Sequence, residues 1–174
     1  MKTLLKALGL TALALAFVSV TSFADPRPAS RCMNVTSEGS GYLGFIEVSP
    51  GDIRLGFPFQ PTTLGDLPVM VQSYIDTIYA SGSSGQGAQH ITLVHTYVST
   101  DPARPGSFTT QDRAVCGVAG QDPGVCIVND VLSIVSGTGI FANAEGKLMN
   151  HGVLNLNTFS LTYSVHGRVC GDGL

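Results

Sequence analysis

The chain alternates apolar and polar positions over long stretches. Val69, Val71, Ser73, Ile75, Thr77 and Tyr79 fall on one face of an extended segment, with Met70, Gln72, Tyr74, Asp76 and Ile78 on the other. Val71, Tyr74, Ile75 and Ile78 also fit a helical period. The β-branched content and the glycine–serine run at 81–87 favour a strand. Residues 90–99 repeat the pattern, with Ile91, Leu93, His95 and Tyr97 opposite Thr92, Val94, Thr96 and Val98. Further strands are predicted at 42–48, 53–59, 107–116, 125–136, 140–147, 153–156 and 158–169, separated by turn signals such as Pro50-Gly51-Asp52. The sum is about eight strands and no convincing helix. Short strands at regular spacing predict a sandwich or a barrel, and a barrel also removes exposed sheet edges.

Residues 136–146, Ser-Gly-Thr-Gly-Ile-Phe-Ala-Asn-Ala-Glu-Gly, break this pattern. Gly137 and Gly139 suit a tight turn, because glycine takes positive φ without steric cost. Phe141 can then place one large side chain in a core, Ala142 and Ala144 leave room for a close neighbour, and Gly146 permits a second turn or bulge. The spacing Gly137-x-Gly139-x-x-Ala142 also matches a dinucleotide fingerprint. No helix follows to receive a pyrophosphate, so that match carries no function. The stretch resembles the Gly-Thr-Gly-x-Phe-x-x-Ala-x-Gly signature of the allene oxide cyclase and dirigent barrel superfamily, matched at Gly137, Thr138, Gly139, Phe141, Ala144 and Gly146. The resemblance covers roughly residues 42–170, most closely in the last third. It implies an all-β domain, a single antiparallel eight-stranded β-barrel with an apolar cavity, sometimes catalytic. It does not fix a reaction, since the superfamily holds several chemistries.

The beginning of the chain has a different character. Lys2 and Lys6 precede an uncharged apolar run from 7 to 20, and Ser22-Phe23-Ala24 supplies the small residues a signal peptidase reads. We expect residues 1–24 to be a secretory signal, 25–40 an N-terminal lead-in, and 41–174 the barrel domain. The mature protein would be secreted or periplasmic, with no membrane association after signal cleavage. Without Lys2 and Lys6, seven basic residues face twelve acidic ones. No basic cluster exists, which argues against nucleic acid as a partner. Four cysteines in an exported chain read as two disulfides. Cys116 and Cys126 flank a turn-rich segment and are paired across a hairpin. Cys32 and Cys170 then tie the first and last strands together. No Cys-x-x-Cys pair exists, so a four-cysteine zinc site is not expected.

A site in a small barrel consists of inward polar residues in an apolar wall. From alternation, the ligand wall is expected to be Ile91, Leu93, Val131, Val135 and Phe141, with His95 or Tyr97 as the polar contact and the candidate catalytic residue. Tyr74 with Asp76, and Tyr163 with His166, are weaker candidates. Of Asn129 and Asp130 only one can point inward, and Glu145 is expected outside. There is no Gly-x-Ser-x-Gly elbow, no His-Glu-x-x-His, and no carboxylate cluster at ligand spacing. Neither metal nor cofactor is expected. The functional expectation is an exported barrel that binds a small apolar molecule, with cyclase or isomerase activity as an extension. The competing expectation is a structural or interaction protein whose barrel is filled.

Overall fold

In a computed structural model, the structure describes residues 31–80, 88–118, 122 and 124–174. The expected signal peptide, the start of the lead-in and the glycine–serine run at 81–87 lie outside them. Nine strands follow in order: β1 Arg31–Tyr42, β2 Gly44–Ser49, β3 Asp52–Leu64, β4 Leu67–Ala80, β5 Gln89–Ser99, β6 Gly106–Val118, β7 Val125–Gly139, β8 Glu145–Asn155 and β9 Ser160–Gly171. They form one antiparallel sheet in the order β1-β9-β8-β7-β6-β5-β4-β3-β2. The strands from β2 to β9 are thus a meander, and β1 crosses to pair with β9.

The sheet curls into an open half-barrel, which corrects the expected closed eight-stranded barrel. β1 and β2 sit at opposite edges yet are joined by Leu43 alone, so the edges meet at that corner. Beyond it, side chains rather than a backbone ladder span the gap. The hydroxyls of Ser37 on β1 and Thr62 on β3 lie 2.6 Å apart. Two glycines of β1 make room for this packing: the Tyr163 side chain lies over Gly39 and that of Gln60 over Gly41.

Other boundaries also differ from expectation. β1 begins at Arg31, inside the expected lead-in, and pairs with β9 along its whole length. Its buried positions, Val35, Ser37 and Gly41, are mostly small and therefore weak as a strand signal. β3 runs through Pro58 and Pro61, and the ladder to β4 shifts register between Phe57 and Gln60, where a proline nitrogen has no hydrogen to donate. The segment from Ile140 to Ala144, expected as strand, is the turn between β7 and β8. Phe141 N donates to Thr138 O (3.0 Å) and Ala144 N to Phe141 O (2.9 Å).

Both expected disulfides are present. Cys32 and Cys170 face each other across β1 and β9, and Cys116–Cys126 joins β6 to β7. Two disulfides fit an oxidising environment outside the cytoplasm. The interior packs as two apolar clusters. One gathers Phe141, Phe108, Tyr97, Leu132 and Leu148 beside the glycine-rich turn. The other gathers Ile91, Ala114, Val128, Leu154 and the Cys116–Cys126 pair. Among the described residues, no helix is long and apolar enough to cross a membrane.

Candidate functional site

Between the two clusters the inner face of the sheet turns polar. Register places the residues in a belt across five neighbouring strands. Ser73 on β4 is opposite His95 on β5, and His95 is opposite Thr110 on β6. Asp112 is the next inward residue of β6. Asp130 on β7 is opposite Ala114 on one side and Asn150 of β8 on the other. β6 reads alternately buried and exposed from Thr110 to Cys116, which makes Asp112 as much an interior residue as Ala114.

Asp112 is fully buried and Asp130 is 3 % exposed. His95 Nδ1 contacts Asp112 Oδ2, and the Thr110 hydroxyl donates to the same oxygen at 3.0 Å. The other oxygen of Asp112, one of Asp130 and the side-chain oxygen of Asn150 are buried without a partner. Among the described residues, every orphan in the belt is thus an oxygen, and no lysine or arginine lines the interior space beside it.

That space consists of two neighbouring chambers, of about 50 and about 40 Å³. They share Phe57, Ser73, His95, Asn150 and Leu161. Each holds roughly three waters, at about 15 Å³ per water centre. Tyr163 stands at the seam between the sheet edges, and its hydroxyl bonds Thr62. A run of aromatic contacts links the belt to the glycine-rich turn: His95 stacks near Tyr97, Tyr97 on Phe108 at 4.6 Å, and Phe108 meets Phe141 edge-on at 4.9 Å.

Burial sets the electrostatics. It pushes the Asp130 carboxyl up from 3.8 to about 7, with the nearby Asp112 adding to the rise while His95 and a hydrogen bond from the Val131 amide oppose it. Burial also holds the Tyr97 hydroxyl well above its ordinary range, reinforced by Asp112, and raises Tyr163 against the opposing Thr62 bond. Both tyrosines thus remain hydrogen-bond donors, while Asp130 can give or take a proton near neutral pH. His95, Asp112 and Asp130 also offer one imidazole nitrogen and two carboxylate oxygens, all within 4.8 Å of one another.

Asp130 gives a pH dependence of known sign. Its folded value lies above its unfolded value, so the proton it carries stabilises the folded chain. That contribution is complete below about pH 4 and lost as pH rises through about 7. The change from 3.8 to about 7 corresponds to about 4 kcal/mol. In chelator-treated protein, Asp130→Asn should gain on the wild type by that order between pH 4.5 and pH 8. Urea denaturation at both pH values measures it, and a gap that does not change with pH would show that Asp130 titrates normally.

Of the residues expected from sequence, Ile91, Leu93, His95 and Tyr97 lie on the inner face. Phe141 is buried in the cluster beside the turn, outside both chambers. Val131 and Val135 are 42 % and 58 % exposed and border a recess on the outer face. Their placement corrects the expected wall. Asp130 takes the inward position, which sends Val131 outward, and Val135 is the extra residue where the β6–β7 register shifts. Asp76 is on the outer face with Arg54, and His166 and Glu145 are exposed. Sequence reasoning missed Asp112, Thr110 and Asn150. The alternation around Ala114 and Cys116 was the available signal for Asp112. Compared with known proteins, the chain matches no family model, no curated protein and no solved structure.

Proposed function

We propose that this exported half-barrel, secreted or periplasmic, is a receptacle for a small apolar molecule anchored by one polar group at the His95 belt. The observation that carries the proposal is the pair of chambers lying between two close-packed clusters, walled by Phe57, Leu93, Leu132 and Leu161 and floored by unpartnered acceptors. A filled structural core would leave neither the space nor the orphan oxygens. The glycine signature and the curled antiparallel sheet support kinship with the allene oxide cyclase-like and dirigent-like barrels, whose members hold apolar molecules in this way.

The acceptors narrow the ligand class. A hydroxyl or phenol can donate to Asp130 or Asn150, which line the chambers, whereas a carboxylate meets like charge with no lysine or arginine beside it. A thermal-shift screen at pH 8 with terpenoid alcohols, phenols and fatty acids tests this. A ligand at a hundredfold excess over its Kd stabilises by about 2.7 kcal/mol, which is about 5–10 °C for a chain of this size. Alcohols and phenols should shift the melt, fatty acids should not, and Leu93→Arg should abolish the shift in a variant that still folds. No hit, together with no mass co-purifying under native mass spectrometry, returns the protein to a structural role.

A second reading rests on Asp130, whose near-neutral carboxyl suits acid–base work on a bound molecule. A hit converted over time to a product of equal mass would establish a cofactor-independent cyclase or isomerase, with His95 and Tyr97 the first residues to replace.

A further inference from the structure

We propose that His95, Asp112 and Asp130 form a binding site for a divalent first-row transition-metal ion, with zinc or manganese fitting the donors best. The three side chains come from adjacent strands β5, β6 and β7, and their ligating atoms lie within 4.8 Å of one another. Metal–donor bonds of about 2.0–2.2 Å in tetrahedral geometry place donors about 3.4 Å apart. The widest pair of the cluster closes by about 1 Å on ligation, within the reach of side-chain rotation, and ligation replaces the direct His95–Asp112 contact.

Charge is the second argument. Two carboxylates, 0 % and 3 % exposed, sit side by side. The basic residues nearest in sequence, Arg113 and Lys147, are exposed on the other face of their strands. Buried carboxylates without a counter-charge are costly, and His95 can offset one of them at most. A dication neutralises both. The orphan oxygens are the third argument: Asp112 Oδ1 and Asp130 Oδ1 have no donor, and neither does Asn150 Oδ1, on the residue across from Asp130 in the β7–β8 register. A cation satisfies acceptors that the protein leaves unmatched.

The donor set selects the class of metal. One imidazole with two carboxylates is too nitrogen-rich and too small for calcium, which takes six to eight oxygens. It holds no thiolate for a soft ion, since all four cysteines are in disulfides. His95 borders both chambers and Asp130 one of them, so the remaining coordination positions face the cavity, where water or the polar group of a bound molecule can occupy them. The site stands independently of the apolar ligand, whose screen can be run in chelator.

The test uses the full mature protein, purified without chelator for elemental analysis and then dialysed against EDTA for titration with zinc chloride and manganese chloride by calorimetry. About one metal per chain and a melting temperature raised by the added ion are expected. His95→Ala and Asp130→Asn should each weaken binding by a hundredfold or more. His151→Ala, which removes an exposed histidine bonded to Asn129, should not. Circular dichroism of the metal-free variants establishes that they fold; if His95→Ala does not, His95→Gln takes its place. Absence of metal after purification combined with no calorimetric binding overturns the proposal. So does binding that survives Asp130→Asn and His95→Ala, which would mark it as adventitious surface ligation.

Discussion

Replacing Gly139 by valine is expected to lower the melting temperature by about 6–12 °C, while Ser136→Val leaves it nearly unchanged. Gly139 has φ of 60°, a conformation that a β-branched residue adopts only with strain. A Cβ there would also overlap the carbonyl oxygen of Pro105. That oxygen is not free to move, because it accepts the Ile140 amide at 3.0 Å. Strain and overlap together cost about 3 kcal/mol or more, and each kcal/mol is about 2–4 °C for a chain of this size. Gly137→Val should be comparably harmful for a different reason. Its backbone is not in the positive-φ region, but a Cβ would meet the Phe141 carbonyl. Ser136 is exposed and already carries a Cβ. Thermal melts of the three variants decide it, and equal tolerance would remove the turn as the element that positions Phe141.

The second large effect concerns the terminal disulfide. Cys32–Cys170 spans 138 residues and Cys116–Cys126 spans 10. Chain entropy assigns roughly 5 kcal/mol to the long loop and roughly 3 to the short one. The double replacement Cys32→Ser with Cys170→Ser should therefore shift the urea midpoint more than Cys116→Ser with Cys126→Ser. The short bond has a compensating claim, because both its sulfurs are buried in an apolar cluster. A larger loss from the short bond would show that packing, not the closure of the chain, is the main contribution.

The outline of this protein was legible where side chains alternate cleanly. β5 is the best case, since Ile91, Leu93, His95 and Tyr97 all lie on the inner face. The disulfides followed from the turn-rich segment after Cys116 and from the two ends of the domain. β1 was hidden because its inward residues are small, and they are small because Tyr163 and Gln60 cover its glycines. Open versus closed was not legible either, since closure depends on contacts between β1 and β3 that no local pattern encodes. The site was half legible for the same reason. His95 and Asp112 are 17 residues apart, and only the pairing of β5 with β6 brings them into contact. At Asp130 hydropathy pointed the wrong way, because an apolar valine beside a carboxylate is the usual choice for an interior position. The polar belt reverses that preference.

The pairing of β1 with β9 also sets an order of events during synthesis. Of the nine strands, β1 is made first and its partner last, so β1 cannot dock while the rest of the sheet is being laid down. Closing a loop of 138 residues must wait for Cys170, whereas Cys116 and Cys126 meet within one hairpin. Through that interval the Cys32 thiol has only Cys116 and Cys126 as possible partners, and both would be wrong. Early oxidation of the hairpin removes them together. The positions of the four cysteines therefore favour one sequence of oxidation, in which the short bond protects the fidelity of the long one.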